Sequence, residues 1–268
     1  MIELFIAALA LAQEPVVLEA EAQNPLIFSI THDGSQGELI SGRVYISMTR
    51  GAVPPIGNPN PNNPEPFFGV DVQDWKAGEV LYIDETADAN IAAPHQIGEG
   101  PWKAIAIFRT LNNTSRIAFE GGLYSKPAII TASPMDAGTV SMSLDIPIPA
   151  REWKEHKNLR LVQMKSELLS RELGREIFHD ACVIVPDDYD PNRTESYPVM
   201  YWIGGYGSDH HGGRFMKSIF TSSDYDDQIC RVVLNSQCYN GHHLFADSAN
   251  NGSRLTAFMT EFLPALET

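Results

Sequence analysis

Pro198-Val-Met-Tyr-Trp-Ile-Gly-Gly-Tyr-Gly207 is the stretch on which the reading of this chain turns. Val199 to Ile203 form a short, uninterrupted apolar run of the kind buried on both faces of a sheet. The run breaks directly into a glycine-rich segment. Glycines after a central strand let backbone N–H groups approach a ligand at the strand's end, because no Cβ stands in the way. The same four residues also suit a tight strand-to-helix turn with no chemistry attached.

The flanking sequence extends this strand into a layered pattern. Residues 159–165 and 176–186 read as strands joined by a turn at Gly174, and residues 229–234 as a further continuous apolar strand. Between them, residues 212–220 set Phe215, Met216, Ile219 and Phe220 on one helical face. Leu255, Phe258, Met259, Phe262 and Leu266 recur at helical spacing behind the cap-like Asn251-Gly252-Ser253, and Pro264 is expected to kink that helix. Strand, helix, strand, helix in this order predicts an α/β architecture with right-handed crossovers over residues 150–268. The strands are fewer than such sheets usually carry, so the domain reads as incomplete.

The preceding region is of another kind. Val44, Ile46 and Met48 alternate with polar neighbours, as do Val140, Met142, Leu144 and Ile146, and residues 25–31, 79–84 and 102–110 are further β-rich runs. Short strands with turn-rich punctuation and no helical period predict an antiparallel, immunoglobulin-like sandwich over residues 16–149. Residues 53–66 carry six prolines at 54, 55, 59, 61, 64 and 66 and read as a long surface loop. Pro147 and Pro149 mark the linker.

Residues 1–12 form an apolar run ending in Ala-Leu-Ala, resembling the core and cleavage site of a signal peptide, although Glu3 stands where a basic residue is usual. The expectation is export, to the periplasm or the medium. A net charge of −15 disfavours nucleic acid and anionic membranes as partners, and nothing resembles a membrane span. Cys182 reads as a buried apolar residue, while a Cys230–Cys238 bridge stays open.

From Gln163 onward the chain resembles the esterase D and feruloyl-esterase-like family of α/β-hydrolases. The resemblance rests on an ordered series: Ser166-Glu-Leu-Leu-Ser-Arg-Glu-Leu-Gly-Arg-Glu176, Ala181-Cys-Val-Ile-Val-Pro-Asp-Asp-Tyr-Asp190, the stretch from Tyr197 to Gly207, Gly241-His-His-Leu-Phe-Ala-Asp-Ser-Ala-Asn-Asn-Gly252, and Glu261-Phe-Leu-Pro-Ala-Leu-Glu267. It implies a C-terminal α/β-hydrolase domain of three layers, of which residues 150–268 form the first half. It also implies a serine esterase acting on a small-molecule or carbohydrate-linked ester through an acyl-enzyme, with neither metal nor organic cofactor. In that family the glycine loop lines the oxyanion hole. Gly205 or Tyr206 would supply a backbone donor, with Gly204, Gly207 and His242 lining the substrate site. This chain has Gly204-Gly205 where the family usually carries His-Gly, which leaves the donor open between Gly205 and Tyr206.

No serine in the chain has a glycine two positions before it, so the Gly-x-Ser-x-Gly elbow is missing and the chain as given is expected to be inactive. The triad would lie downstream, beyond Thr268. Of His242 and His243, one is expected to be an exposed bystander. Asp209-His210-His211, with Asp224, Asp226 and Asp227 nearby, fits no metal motif and reads as a solvated acidic face. A competing reading makes the chain a non-catalytic binding module, with Phe67, Phe68, Trp75 and Trp102 as a sugar-stacking platform; the same aromatics also suit a core.

Overall fold

The computed structural model describes residues 24–52, 56–57, 59–60, 62–220 and 229–267. The leader-like residues 1–12 lie outside them, as do positions 53–55, 58 and 61 of the proline-rich loop, and Asp224, Asp226 and Asp227.

The first unit is all β. Its strands are β1 (Ile27–His32), β2 (Leu39–Thr49), β3 (Phe67–Lys76), β4 (Leu81–Ile83), β5 (Asp88–Ala89), β6 (Trp102–Thr110), β7 (Leu123–Tyr124), β8 (Ala128–Ile130), β9 (Thr139–Leu144) and β10 (Ile146–Pro147). One sheet has the order β4-β1-β9; the other runs β10-β7-β6-β2-β3-β5, with β8 added to β6. The two share a single apolar core: Phe28 and Ile30 of β1 and Leu144 of β9 pack with Val44, Ile46 and Met48 of β2, Phe68 of β3 and Phe108 of β6. Each fully buried side chain of this size contributes roughly 1.5–3 kcal/mol. The arrangement is compatible with a β-sandwich, with one departure from the all-antiparallel expectation: β1 and β9 pair in parallel.

The period-two pattern of β2 places Val44, Ile46 and Met48 inward as expected. β6 is buried on both faces. Ala104, Ala106 and Phe108 meet the inter-sheet core, while Ile105 and Ile107 pack on the opposite side with Ile117 and Ile148. Residues 111–122 therefore fold across the outer face of the larger sheet, and their polar positions are carried to the boundary with the second unit. The aromatics considered as a sugar platform are core. Phe68, Trp75 and Trp102 are buried, which removes their rings from ligand stacking, and Phe67 is partly buried against Ile105 and its neighbours.

The second unit contains β11 (Leu159–Lys165), α1 (Glu167–Leu173), β12 (Phe178–Ile184), β13 (Val199–Ile203), α2 (Gly213–Phe220), β14 (Cys230–Leu234), the small hairpins β15 (Gln237–Cys238) with β16 (Gly241–His242) and β17 (Asp247–Ser248) with β18 (Gly252–Ser253), and a helix made of α3 (Arg254–Ala257), a π segment (Phe258–Phe262) and α4 (Leu263–Leu266). The main sheet has the order β11-β12-β14-β13; only β13 and β14 are parallel. Met216 of α2 packs with Leu159, Cys182 and Val233 on one face, and Phe258 and Phe262 pack with Ala181, Val232 and Leu234 on the other. A helix thus covers each face of a four-stranded mixed sheet.

Several local expectations change. The segment expected as a turn at Gly174 holds a two-turn helix, α1, capped by Ser166, whose Oγ accepts from the Leu169 amide, and closed by Gly174 at φ 65°. The π segment lies just before Pro264, which has no N–H to continue an α-helical ladder. It also shifts the helical phase, so Leu255 and Met259 are exposed rather than aligned with buried Phe262. On α2 only part of the expected apolar face is covered: Met216 is buried, but Phe215 and Ile219 are exposed. The three cysteines are buried free thiols, so Cys230 and Cys238 are not bridged, and burial pushes Cys182 up to about 12. Among the described residues no helix is long and apolar enough to cross a membrane.

Candidate functional site

Because β13 and β14 are parallel neighbours in register from Val199↔Cys230 to Ile203↔Leu234, the chain leaves both strands at the same rim. That is where open α/β sheets place ligands. Antiparallel β12 brings its first residues to this rim, and the Asn235 amide donates to the Asp180 carbonyl at 2.9 Å.

After Ile203 the glycine segment forms a turn closed by the Ser208 amide on the Gly205 carbonyl, at 3.0 Å. Gly207 sits at φ 79° while Tyr206 keeps a negative φ, which is the signature of a type II turn with its glycine at the third position. Gly205 and Tyr206 are exposed, Tyr206 at 71%. Among the described residues neither of their amides donates a hydrogen bond to a protein acceptor. The two groups singled out as oxyanion donors are thus uncommitted and reachable. Gly205 has open space where a Cβ would stand. The Tyr206 ring lies over Gly241 and borders a hollow of about 450 Å³ shared with Tyr45, Arg109 and Tyr239.

His242 holds this turn from behind. Its Nε2 is 2.8 Å from the Gly204 carbonyl and 2.5 Å from Ser236 Oγ, and its Nδ1 accepts from the Leu244 amide at 3.0 Å. A carbonyl can only accept and an amide can only donate, so the neutral ring must carry its proton on Nε2. Ser236 is fully buried and faces a donor nitrogen, and among the described residues no carboxylate pairs with Nδ1. The Ser236–His242 pair is therefore a brace, unable in this form to draw a proton from the hydroxyl. Neither histidine is a bystander: His243 is buried, its Nδ1 accepts from the Phe245 amide, and burial pushes it down to about 3.

Ser236 was not singled out by the sequence reading. The hairpin turns through Tyr239-Asn240, with Gly241 at φ 127° already paired to Cys238, and it folds His242 back opposite Gln237 and so beside the end of β14.

The turn is also tied to the β unit. Gln237 Nε2 donates to the Gly207 carbonyl at 3.1 Å, while its Oε1 accepts from Thr114 Oγ1 at 2.5 Å and from the Ser115 amide at 3.1 Å. Asp209, two residues past the turn, pairs with Arg116 at 2.9 Å and Arg151 at 2.8 Å. The Asp209–His211 segment is accordingly not a solvated acidic face. Asp209's side chain is 11% exposed and His210 is buried, because residues 111–122 and the linker close over them. Burial holds both histidines low, and His211, next to His210 and Arg151, falls to about 4. Among the described residues no group of three or more His, Cys, Asp or Glu side chains is arranged to hold a metal ion.

No family model matches the chain, and no curated protein is significantly similar to it.

Proposed function

We propose that residues 150–268 belong to an exported carboxylic-ester hydrolase of the α/β-hydrolase type, with 204–207 as its oxyanion-binding turn and an immunoglobulin-like β-sandwich, residues 16–149, in front. One observation carries this reading: two adjacent backbone amides, Gly205 and Tyr206, are exposed and uncommitted at the carboxyl rim of the parallel pair β13–β14. Acyl transfer needs donors of this kind, preorganised where the carbonyl oxygen becomes an anion. The brace from His242 and Gln237 to the carbonyls of Gly204 and Gly207 supplies the rigidity, since it fixes the turn through its acceptors and leaves its donors free. The nucleophile is not among these residues. Ser236 is buried against a donor nitrogen, and the sequence holds no Gly-x-Ser-x-Gly elbow, so the 268-residue chain should not turn over esters by itself.

The test is to express the whole reading frame, including any codons after that for Thr268, and to assay p-nitrophenyl and feruloyl esters. Hydrolysis is expected when an elbow follows. Pro is well suited to the second position of a type II turn, so Tyr206→Pro deletes one amide donor with the turn kept. This variant or Gly205→Pro should lower kcat by about 10²–10³ with KM little changed. An inactive full frame, or activity indifferent to both substitutions, would overturn the reading.

A further inference from the structure

The hollow of about 450 Å³ beside the glycine turn is built from both units. Arg43 and Tyr45 of β2, Asp71 of β3 and Arg109 of β6 line it from the outer face of the larger β sheet, and Tyr206 and Tyr239 line it from the second unit. The volume is within the range of small-molecule sites.

The register of the sheet creates a charge conflict in this wall. β2 and β6 are antiparallel with Arg43 directly opposite Arg109, so two guanidiniums occupy neighbouring positions on one face. Like charges in that relation destabilise a sheet. Arg43 is relieved: it pairs with Asp71 at 2.8 Å and with Asp88, and Gly69 leaves room for its guanidinium, since a Cβ there would stand 2.9 Å from it. Arg109 is not relieved. It is 6% exposed, and among the described residues no carboxylate pairs with it. Its Nη2 donates to the carbonyls of Thr114 and Tyr239, both at 2.7 Å, and its Cζ lies 3.9 Å from the centre of the Tyr239 ring. These contacts hold the group in place but bring only partial negative charge, so a nearly buried cation lines the hollow without a counter-ion.

The other groups of the wall narrow the class of ligand. Tyr45, Tyr206 and Tyr239 set three aromatic rings around the space, and none of their hydroxyls hydrogen-bonds to another described residue. Burial pushes the Tyr239 phenol up, which keeps it a neutral donor at ordinary pH. Phenol donors and an unmatched guanidinium call for a negatively charged acceptor, while the ring faces and Ile117 call for an apolar body. The Asp71 carboxylate in the same wall opposes a second negative charge, which favours a carboxylate over a phosphate dianion.

We propose that this hollow binds the carboxylate group of a small organic monoanion. The site uses the Tyr206 side chain and not its amide, so the assignment goes beyond ester hydrolysis and holds whether or not the glycine turn is catalytic.

Calorimetric titration of the intact 268-residue chain with benzoate and hexanoate, with benzamide as an uncharged counterpart and inorganic phosphate as a compact anion, tests it directly. At least one carboxylate should saturate with a Kd of about 1 mM or tighter, and benzamide should bind about tenfold more weakly or worse. Arg109→Gln removes the charge and keeps an amide donor, which should weaken carboxylate binding by about tenfold or more. Tyr206→Ala takes away one wall at a residue 71% exposed and should cost about fivefold; it decides alone should Arg109→Gln fail to fold. Gly205→Pro removes an amide of the turn outside the hollow and should leave binding unchanged. The proposal is overturned if neither carboxylate saturates, if benzamide or phosphate binds as tightly as the carboxylates, or if both Arg109→Gln and Tyr206→Ala bind like the parent. Loss of binding in Gly205→Pro would overturn it too, by placing the anion on the amides of the turn.

Discussion

The two units bury apolar surface in different ways. In the β unit, nineteen buried side chains form one cluster between two sheets. In the second unit the two faces of the sheet carry separate clusters of five, and Trp202, Ile203, Phe215 and Ile219 remain exposed. A single continuous core makes every member depend on the rest, whereas a divided one leaves apolar groups at its margins. The largest expected effect tests this contrast. Phe108→Ala, deep in the shared cluster, should cost about 3–5 kcal/mol, and Phe215→Ala less than about 0.5 kcal/mol. Urea unfolding midpoints measure both. Comparable losses would mean that α2's outer face is covered after all.

Acid should separate the units next. In the second unit burial pushes His179 down to about 4 and His243 to about 3, with Glu261 opposing the effect at His179. An unfolded chain takes up these protons near pH 6.5 and the folded one does not. Stability is therefore full above about pH 6.5 and falls as the pH drops toward 4, by about 3 kcal/mol for His179 alone. Unfolding midpoints across that range should decline, and His179→Phe should reduce the slope by up to one proton's worth. A flat profile would refute the buried neutral state.

Asp209 couples the two units and offers a third, smaller test. It holds one arginine from the β unit and one from the linker, both partly exposed, so removing it should cost about 2 kcal/mol rather than the full penalty of a buried pair. Asp209→Ala should turn a single calorimetric transition into two. One unchanged transition would show that the contact between Thr114 and Gln237 is sufficient to join the units.

What was legible in the sequence follows the range of the interactions. Strand alternation in β2 and the apolar run of β14 are set by near neighbours and read correctly, whereas β13, read as buried on both faces, is the edge strand of the described sheet with Val199, Trp202 and Ile203 exposed, because an apolar run does not record which strand lies beside it. The glycine turn was legible because its conformational demand is local. The role of His242 was not, since it depends on a hairpin that folds back onto the end of β14. The bonds from Gln237 to Thr114 and Ser115 span more than a hundred residues, and no periodicity records them. The exposure of Phe215 was missed for a related reason: helical spacing shows that a face is apolar but not whether another element covers it.

The smallest effect examines α1, the helix that was read as a turn. With only seven residues it is too short to be stable on propensity, so its termini must supply what its length does not. Ser166 caps it by accepting from the Leu169 amide at 3.1 Å, and its hydroxyl donates to Glu261 at 2.5 Å. Glu261 also accepts from the Leu168 amide at 2.9 Å, so the π segment of the last helix closes the first turn of α1. Ser166→Ala removes one cap and leaves the carboxylate its second contact, which predicts a loss of about 1 kcal/mol. Amide exchange should quicken at Leu169 and remain slow at Leu168. Equal acceleration at both would mean that Glu261 depends on the serine for its position, and that the two helices lock together through one hydroxyl.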